Sequence, residues 1–434
     1  MNRIGIRRED KNIWERRTPV VPEQVKELRD IEFFVQPSKI RAFKDKEYAE
    51  AGAKIQEHIN QCDVIFAVKE IPLDFFEKGK TYVFFSHTIK GQKHNMPMLK
   101  KIMELKCQLI DYEKIVDEKN RRLIFFGRYA GLAGMIDTLW ALGQRLDEEG
   151  IKNPFTEIKQ TYTYSSLEKA KNEVKKVGGN IKKKGLPESI TPMIFGIAGY
   201  GNVSKGAQEI ISLLPVKEIT PEQVASLKDR DYSRNHVYRV VFKEEDIVEP
   251  LSGEFELQDY YKHPEKYNSK FDKYIPHLTG LVNAIYWDNI YPRLVTKKYL
   301  KELHAGKTKN CLRVIGDISC DINGAIECTS KATEPNKPVF VYNPLTDKTT
   351  DGFKGEGVVV LAVDNLPCEL PKESSEDFSS ALKKFIPLIA SADFSVNFED
   401  CNLPPEIKNA VIVYHGKLTP NYGYLEKYLE EKKK

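Results

Sequence analysis

Residues 64–72 read VIFAVKEIP, an apolar run that ends in Lys69 and Glu70 instead of turn residues. Residues 81–90, TYVFFSHTIK, repeat the pattern and run into Ser86 and His87. Apolar runs that do not alternate read as strands buried on both faces. In open α/β sheets, ligands bind outside the carboxyl ends of the strands. A lysine desolvated at such an end has a lowered pKa and can act as a base near neutral pH; a close Glu70 opposes that shift, because an opposite charge favours the ammonium form. Histidine titrates near neutrality and can supply an acid. Taken singly, Lys69 also reads as a solvated strand-end lysine and His87 as a hydrogen-bonded structural histidine. The pair leaves both readings open.

A second constellation lies in PMIFGIAGYGNVSKGAQEII, a strand, a glycine turn and a helix start in that order. Gly199 permits the tight turn, Gly201 lets a pyrophosphate approach the backbone, and the helix from Asn202 offers free N–H groups and a positive dipole end. Ser204 stands where the fingerprint prefers Gly or Ala, with Gly206 two residues on. The strand–helix context reads as a dinucleotide site in preference to a structural turn. The acid that binds a ribose hydroxyl is expected about 20 residues on. Glu218 and Glu222 are the candidates, while Lys205 would instead meet a 2′-phosphate. Spacing alone leaves NAD and NADP open.

The elements that must position these residues follow an α/β alternation. RIGIR, EFFVQ, VIFAV, YVFFS, CQLID and RLIFFG read as strands, and PEQVKELRD, DKEYAEAGAKI and PMLKKIMEL as helices between them. This predicts a mostly parallel sheet. Leu132, Met135, Ile136, Leu139, Leu142 and Leu146 fall at helical spacing in a long core helix. A lysine-rich amphipathic stretch follows and reads as a solvated helix face. The second α/β pattern starts at ITPMIFGIAGYG and carries a polar, tyrosine-rich insert around 226–275. The expected architecture is two Rossmann-like α/β domains, one of them discontinuous, with a cleft between them. Residues 1–135 plus 370–434 form the substrate domain, and residues 136–369 the dinucleotide domain.

A chain of 434 residues is too long for one ordinary core, which agrees with two domains. The net charge of +4 is small and partly terminal, in EEKKK, so neither nucleic acid nor a membrane surface is an expected partner. No apolar run approaches the roughly 20 residues that span a bilayer. The opening MNRIGIRRED leaves no room for a leader, and cytoplasmic location is expected; a trimmed leader would allow the mitochondrial matrix. The cysteines, at 62, 107, 311, 320, 328, 368 and 401, show no Cys-x-x-Cys pair and no neighbouring histidine. They read as reduced thiols, and no metal is expected.

IGIRREDKNIWERRTPVVPEQV, with its arginine before a Thr-Pro turn, resembles the N-terminal signature of the alanine dehydrogenase and transhydrogenase superfamily. VKEIP, FFSHTIK, FFGRYAGLAGM, GDISCDINGAIECTSKAT and VDNLPCELPKESSE resemble its saccharopine-forming branch. YYKHPEKY and AIYWDNIYPRLVT are most similar to the lysine–ketoglutarate reductases, the N-terminal half of bifunctional aminoadipic semialdehyde synthases. The resemblance covers essentially the whole chain; the saccharopine-oxidising half has no counterpart, so a stand-alone or excised reductase is expected. It implies that Lys69 is the proton acceptor and His87 the acid. It makes Arg17, Lys90, Gln92, Arg122 and Phe126 substrate contacts and Glu70 and Glu113 acids that tune the catalytic pair. Arg121, Asn202, Val203, Ile285, Tyr286, Asp317 and Ile318 would lie along the cofactor, which the resemblance makes NADPH.

The implied reaction condenses L-lysine with 2-oxoglutarate and reduces the imine to saccharopine, which a separate enzyme would oxidise. It needs a base for the ε-ammonium proton, an acid for the departing water, and cations for three carboxylates. The alternatives are an NAD-dependent, lysine-forming saccharopine dehydrogenase and, from another class, a catalytically silent nucleotide-binding module.

Overall fold

The structure is a computed structural model that describes residues 2–227, 232–306 and 310–429. The terminal EEKKK and residues 228–231 of the expected insert lie outside the described residues. The chain forms two compact units, Met1–Phe126 with Pro371–Lys434, and Gly127–Leu370. Each is built on an eight-stranded, mostly parallel sheet. No disulfide joins cysteines among the described residues. No helix among the described residues is long and apolar enough to cross a membrane.

In the first unit the strands run, in spatial order, Lys417–Leu418, Val411–Tyr414, Gln108–Asp111, Thr81–Phe84, Val64–Phe66, Asn2–Ile6, Ile31–Val35 and Lys54–Ile55. The six from Gln108–Asp111 onward pair in parallel, and the two C-terminal strands are antiparallel. Val64–Phe66 lies between Asn2–Ile6 and Thr81–Phe84, which explains its unbroken burial and its non-alternating sequence. The RLIFFG strand is not formed. Arg122 makes a single bridge to Val116, and Ile124 and Phe126 turn into the core instead. The sheet edge beside Gln108–Asp111 is taken by Val411–Tyr414, from almost three hundred residues downstream, so local pattern could not place it.

In the second unit the order is Lys348–Asp351, Val339–Asn343, Val358–Leu361, Val314–Asp317, Gly280–Asn283, Ile194–Ala198, Val237–Phe242 and Val216–Glu218. One correction bears on function. Val237–Phe242 lies inside the stretch read as a polar insert, yet it is a core strand paired in parallel with Ile194–Ala198. Its Arg239 hid it: the side chain is buried and ion-paired with Glu218 at the sheet edge, so a charged residue sits within a buried strand. Among its described residues the stretch also holds the helices Glu244–Ile247 and Leu257–Lys262 and an antiparallel ribbon of Val248–Pro250 with Tyr267–Ser269.

The expected boundary at 135 falls inside the helix Gly127–Glu148, which belongs wholly to the second unit. This helix meets the helix Asn202–Ile211 at almost backbone distance. A Cβ on Gly206 would lie 2.1 Å from the Arg128 carbonyl oxygen, and one on Gly131 would lie 1.9 Å from that of Val203. Gly206→Val is expected to cost about 3 kcal/mol or more, because backbone cannot move aside as a side chain can; urea unfolding measures it.

Asp137 of the same helix and Glu369 are both buried carboxyl groups. Asp137 Oδ1 accepts from the Thr161 N–H at 2.7 Å and Glu369 Oε2 from that of Tyr162 at 3.2 Å. The remaining oxygens are buried and have only each other among the described residues. Burial pushes Asp137 up to about 6, and burial together with the Asp137 charge pushes Glu369 well above the usual carboxylate range. The folded state therefore holds a proton that the unfolded chain loses above its ordinary carboxylate range, near pH 4. This contribution to stability is complete below that range and is lost as pH rises through 6 and beyond. Glu369→Gln keeps a neutral hydrogen-bonding group, so the variant is expected to gain on the wild type in unfolding free energy between pH 5 and pH 8. A difference that stays constant across that span would refute the shared proton.

Candidate active site

In the first unit, the carboxyl ends of Val64–Phe66 and Thr81–Phe84 are adjacent because those strands pair directly. Lys69 and Glu70 follow one and His87 the other. His87 Nδ1 lies 2.6 Å from Glu70 Oε1, and Lys11 Nζ lies 3.0 Å from Glu70 Oε2. Burial alone would push Glu70 up, but the hydrogen bond and charge of His87, with the charge of Lys11, hold it well below the usual carboxylate range. An ionised Glu70 only accepts, so Nδ1 of His87 is the donor and Nε2 is left for proton transfer. His87 also has a left-handed backbone, φ +49, which a non-glycine residue adopts at a cost and which clusters at functional sites. The preceding residue is fixed by Asp111, whose Oδ2 accepts from the Ser86 N–H at 3.0 Å and the Ser86 hydroxyl at 2.5 Å.

Lys69 Nζ makes no hydrogen bond or ion pair among the described residues. Burial lowers its pKa first, then the charge of Arg17 and, less, that of Lys11, against opposing effects of Glu15 and Glu70. Glu9, buried, receives the N–H of Val68 at 2.7 Å and of Lys69 at 3.0 Å and so closes the strand end that carries the lysine. Burial and the neighbouring Glu15 push Glu9 up to about 7. Glu9 and Glu15 are not legible in sequence, since RREDKNIWERR looks like a solvated loop; the fold buries them together with Arg7 and Arg17.

Arg17 is 2% exposed and forms a two-pronged ion pair with Glu15, Nε to Oε1 at 2.8 Å and Nη2 to Oε2 at 2.6 Å. Its guanidinium lies 4.1 Å from the centroid of the Phe126 ring, which stacks on Phe378 at 4.5 Å. Phe85 joins this wall and stacks on His87 at 6.2 Å. The chain after Arg17 is held by the Pro371–Leu382 helix, with the Thr18 N–H on Ser375 Oγ and the Val21 N–H on Ser379 Oγ, each at 3.0 Å.

Lys90 is exposed, and its N–H is received by the Gln92 side chain at 3.1 Å. Arg122 is ion-paired with Glu113, and both line a cavity of about 540 Å³ with Ile89, Asn409, Tyr422 and Tyr424. Arg121 is tied to Asp117 in its own turn, at 2.7 Å.

In the second unit, three adjacent strand ends assemble the dinucleotide candidates, since Gly280–Asn283 pairs with both Ile194–Ala198 and Val314–Asp317. Gly199 has φ +96, and a Cβ there would lie 2.9 Å from the Ala284 carbonyl oxygen. A Cβ on Gly201 would meet nothing within 4 Å, just before the ten-residue helix Asn202–Ile211, and the first N–H groups of a helix are suited to a phosphate. Ser204 is buried and receives Gln208 at 2.9 Å. The close-packing duty of a third glycine falls to Gly206. Gly199, Gly201, Ile285 and Tyr286 line a cavity of about 420 Å³, walled also by Tyr260 and Trp287. Ile318 is instead packed under Gly134 in the core, and Asp317 is buried, receiving Thr329 at 2.6 Å and Asn283 at 2.8 Å. Burial pushes Asp317 up to about 6. Glu218 and Glu222 are not beside the glycine turn: Glu218 ends the outermost strand, and Glu222 follows it. Glu244 has their expected place, two residues past the end of Val237–Phe242 and in the wall of the same cavity. Glycine loop, helix start and cavity together fit a dinucleotide.

The chain matches the family description alanine dehydrogenase/PNT twice, the N-terminal domain over residues 5–133 and the C-terminal domain over residues 254–421. It belongs to the alanine dehydrogenase and transhydrogenase superfamily. Among curated members it is 40% identical to the alpha-aminoadipic semialdehyde synthase of Arabidopsis thaliana, over 97% of this chain and 41% of that protein. It is 36% identical to the mitochondrial enzyme of that name from Bos taurus, over 99% of this chain and 48% of that protein. The chain thus spans less than half the length of these relatives. A saccharopine dehydrogenase of Emericella nidulans, named as NAD(+) and L-lysine-forming, is 28% identical over 88% of this chain and 90% of its own. Among solved structures, an L-alanine dehydrogenase superposes with TM-score 0.64 at 16% identity, covering 99% of this chain and all of that one. A transhydrogenase from Sinorhizobium meliloti gives 0.57 at 16% identity, covering 96% of this chain and all of that one. At that identity the two likenesses show the fold alone.

Proposed function

We propose that the chain condenses L-lysine with 2-oxoglutarate and reduces the product to saccharopine, the first step of lysine breakdown. The observation that carries this reading is Lys69, its pKa lowered by burial, beside the hydrogen-bonded Glu70–His87 pair, in a chain similar throughout to aminoadipic semialdehyde synthases. Lys69, with its lowered pKa, takes a proton from the substrate ammonium so that the amine can attack the keto carbon. His87 gives a proton to the departing hydroxyl, and Glu70 holds the ring by Nδ1. Arg17 supplies a planar cation for a substrate carboxylate against the Phe126 wall, and Arg122, paired with Glu113, supplies a second one in its cavity. Glu113 and Glu70 would thereby set the charge balance of the cations they accompany. A reduced nicotinamide dinucleotide, held by the Gly199–Gly201 turn, supplies the hydride; the resemblance gives NADPH. The cytosol is the proposed compartment, with the mitochondrial matrix as the alternative raised by the Bos taurus relative's name.

The test is loss of nicotinamide absorbance on mixing the protein with both substrates, run in parallel with NADH and NADPH. Oxidation that requires lysine and 2-oxoglutarate together supports the reductase. Oxidation by either alone, or by neither, refutes it, and binding of the nucleotide without turnover would leave the silent-module reading.

A further inference from the structure

We infer that this chain takes the unphosphorylated cofactor, NADH and NAD+, and that Glu244 makes the choice. The inference rests on the dinucleotide reading of the glycine turn and runs against the NADPH that the resemblance implies. In a doubly wound sheet, the residue just past the strand beside the glycine loop meets the adenosine ribose. That strand is Val237–Phe242, and its end is tied to the loop: the Gly199 N–H donates to the Phe242 carbonyl at 2.9 Å. Glu244 follows two residues later and lines the same cavity as Gly199 and Gly201. The Tyr261 hydroxyl donates to Glu244 Oε1 at 2.7 Å, and Tyr200 is hydrogen-bonded to the same carboxylate; with about four lone pairs on its two oxygens, the group keeps room to accept from a ribose hydroxyl.

The described lining of the cavity offers a phosphate no cation. Among the described residues that line this cavity, none is a lysine, arginine or histidine. The nearby Lys243 sits 3.7 Å from Glu245, and Lys205 is an exposed residue of the following helix that does not line the cavity. A 2′-phosphate carries roughly −1.5 to −2 charges. Next to Glu244 it would meet a like charge among aromatic walls, with no cation among the described residues that line the cavity. A ribose hydroxyl in the same place gives a charge-assisted hydrogen bond.

Titration of the protein with NADH and then NADPH, followed by nicotinamide fluorescence with no lysine or 2-oxoglutarate present, tests this. NADH is expected to bind about 100-fold more tightly, the combined effect of one gained charged hydrogen bond and one avoided repulsion. Glu244→Gln is expected to bring the two dissociation constants within about tenfold, with circular dichroism unchanged. Equal or tighter NADPH binding by the wild type overturns the inference and leaves the dinucleotide site standing. A ratio unmoved in Glu244→Gln overturns the role of Glu244. Binding of neither nucleotide overturns the dinucleotide reading and this inference with it.

Discussion

Lys69→Met is expected to lower kcat by about 10²–10⁴-fold, the range lost with a general base, while leaving dinucleotide binding as in the wild type. Methionine nearly matches the lysine stem in volume and removes the amine, so the strand end held by Glu9 has no reason to move. Lys69→Arg discriminates further. It keeps a cation in place but cannot be deprotonated near neutral pH, so it should be as inactive as methionine if Lys69 is a base. A merely electrostatic role would leave the arginine variant active. The pH profile carries the same sign. Because burial, Arg17 and Lys11 lower the pKa of Lys69, the base form grows as pH rises through a range below that of free lysine. Wild-type kcat should therefore climb with pH there, and no such limb should remain in either variant. Weakened nucleotide binding in Lys69→Met would sink the assignment.

The second large effect is on stability. Arg17→Met leaves Glu15, 1% exposed, as a buried carboxylate stripped of its two-pronged partner. Breaking one side of such a pair costs about 3–5 kcal/mol, and the stacking of the guanidinium on Phe126 is lost as well. Guanidinium chloride unfolding should show that drop, whereas the double change Arg17→Met with Glu15→Gln should recover most of it. Activity should not recover with stability in the double variant, because no planar cation remains for the substrate carboxylate. Recovery of both would mean that Arg17 serves the fold alone.

Much of this could be read in the sequence because it is local. The apolar runs at 64–68 and 81–85 do not alternate, since both faces of a central parallel strand are covered, and that pattern survives in any fold that uses them. Gly199 and Gly201 were legible for a similar reason: a positive φ and an open approach restrict the residue type at one position. The placement of Lys69 and His87 at strand ends followed from the same runs. Their hydrogen-bonded link through Glu70 did not, because it depends on those two strands being neighbours.

What tertiary structure alone decided concerns partners far apart in the chain. Glu9 and Glu15 look like loop charges until the fold buries them against Val68, Lys69 and Arg17. Val237–Phe242 reads as part of an insert because Arg239 breaks its apolar pattern, and the acid that follows this strand into the glycine-turn cavity is Glu244, not the Glu218 or Glu222 that spacing suggests. RLIFFG is as apolar as a strand, but its sheet edge had been taken by Val411–Tyr414. Sequence fixes what a residue prefers next to its immediate neighbours. Which charges lose their water, and which strand lies beside which, is settled only when distant segments compete for the same edge and the same interior.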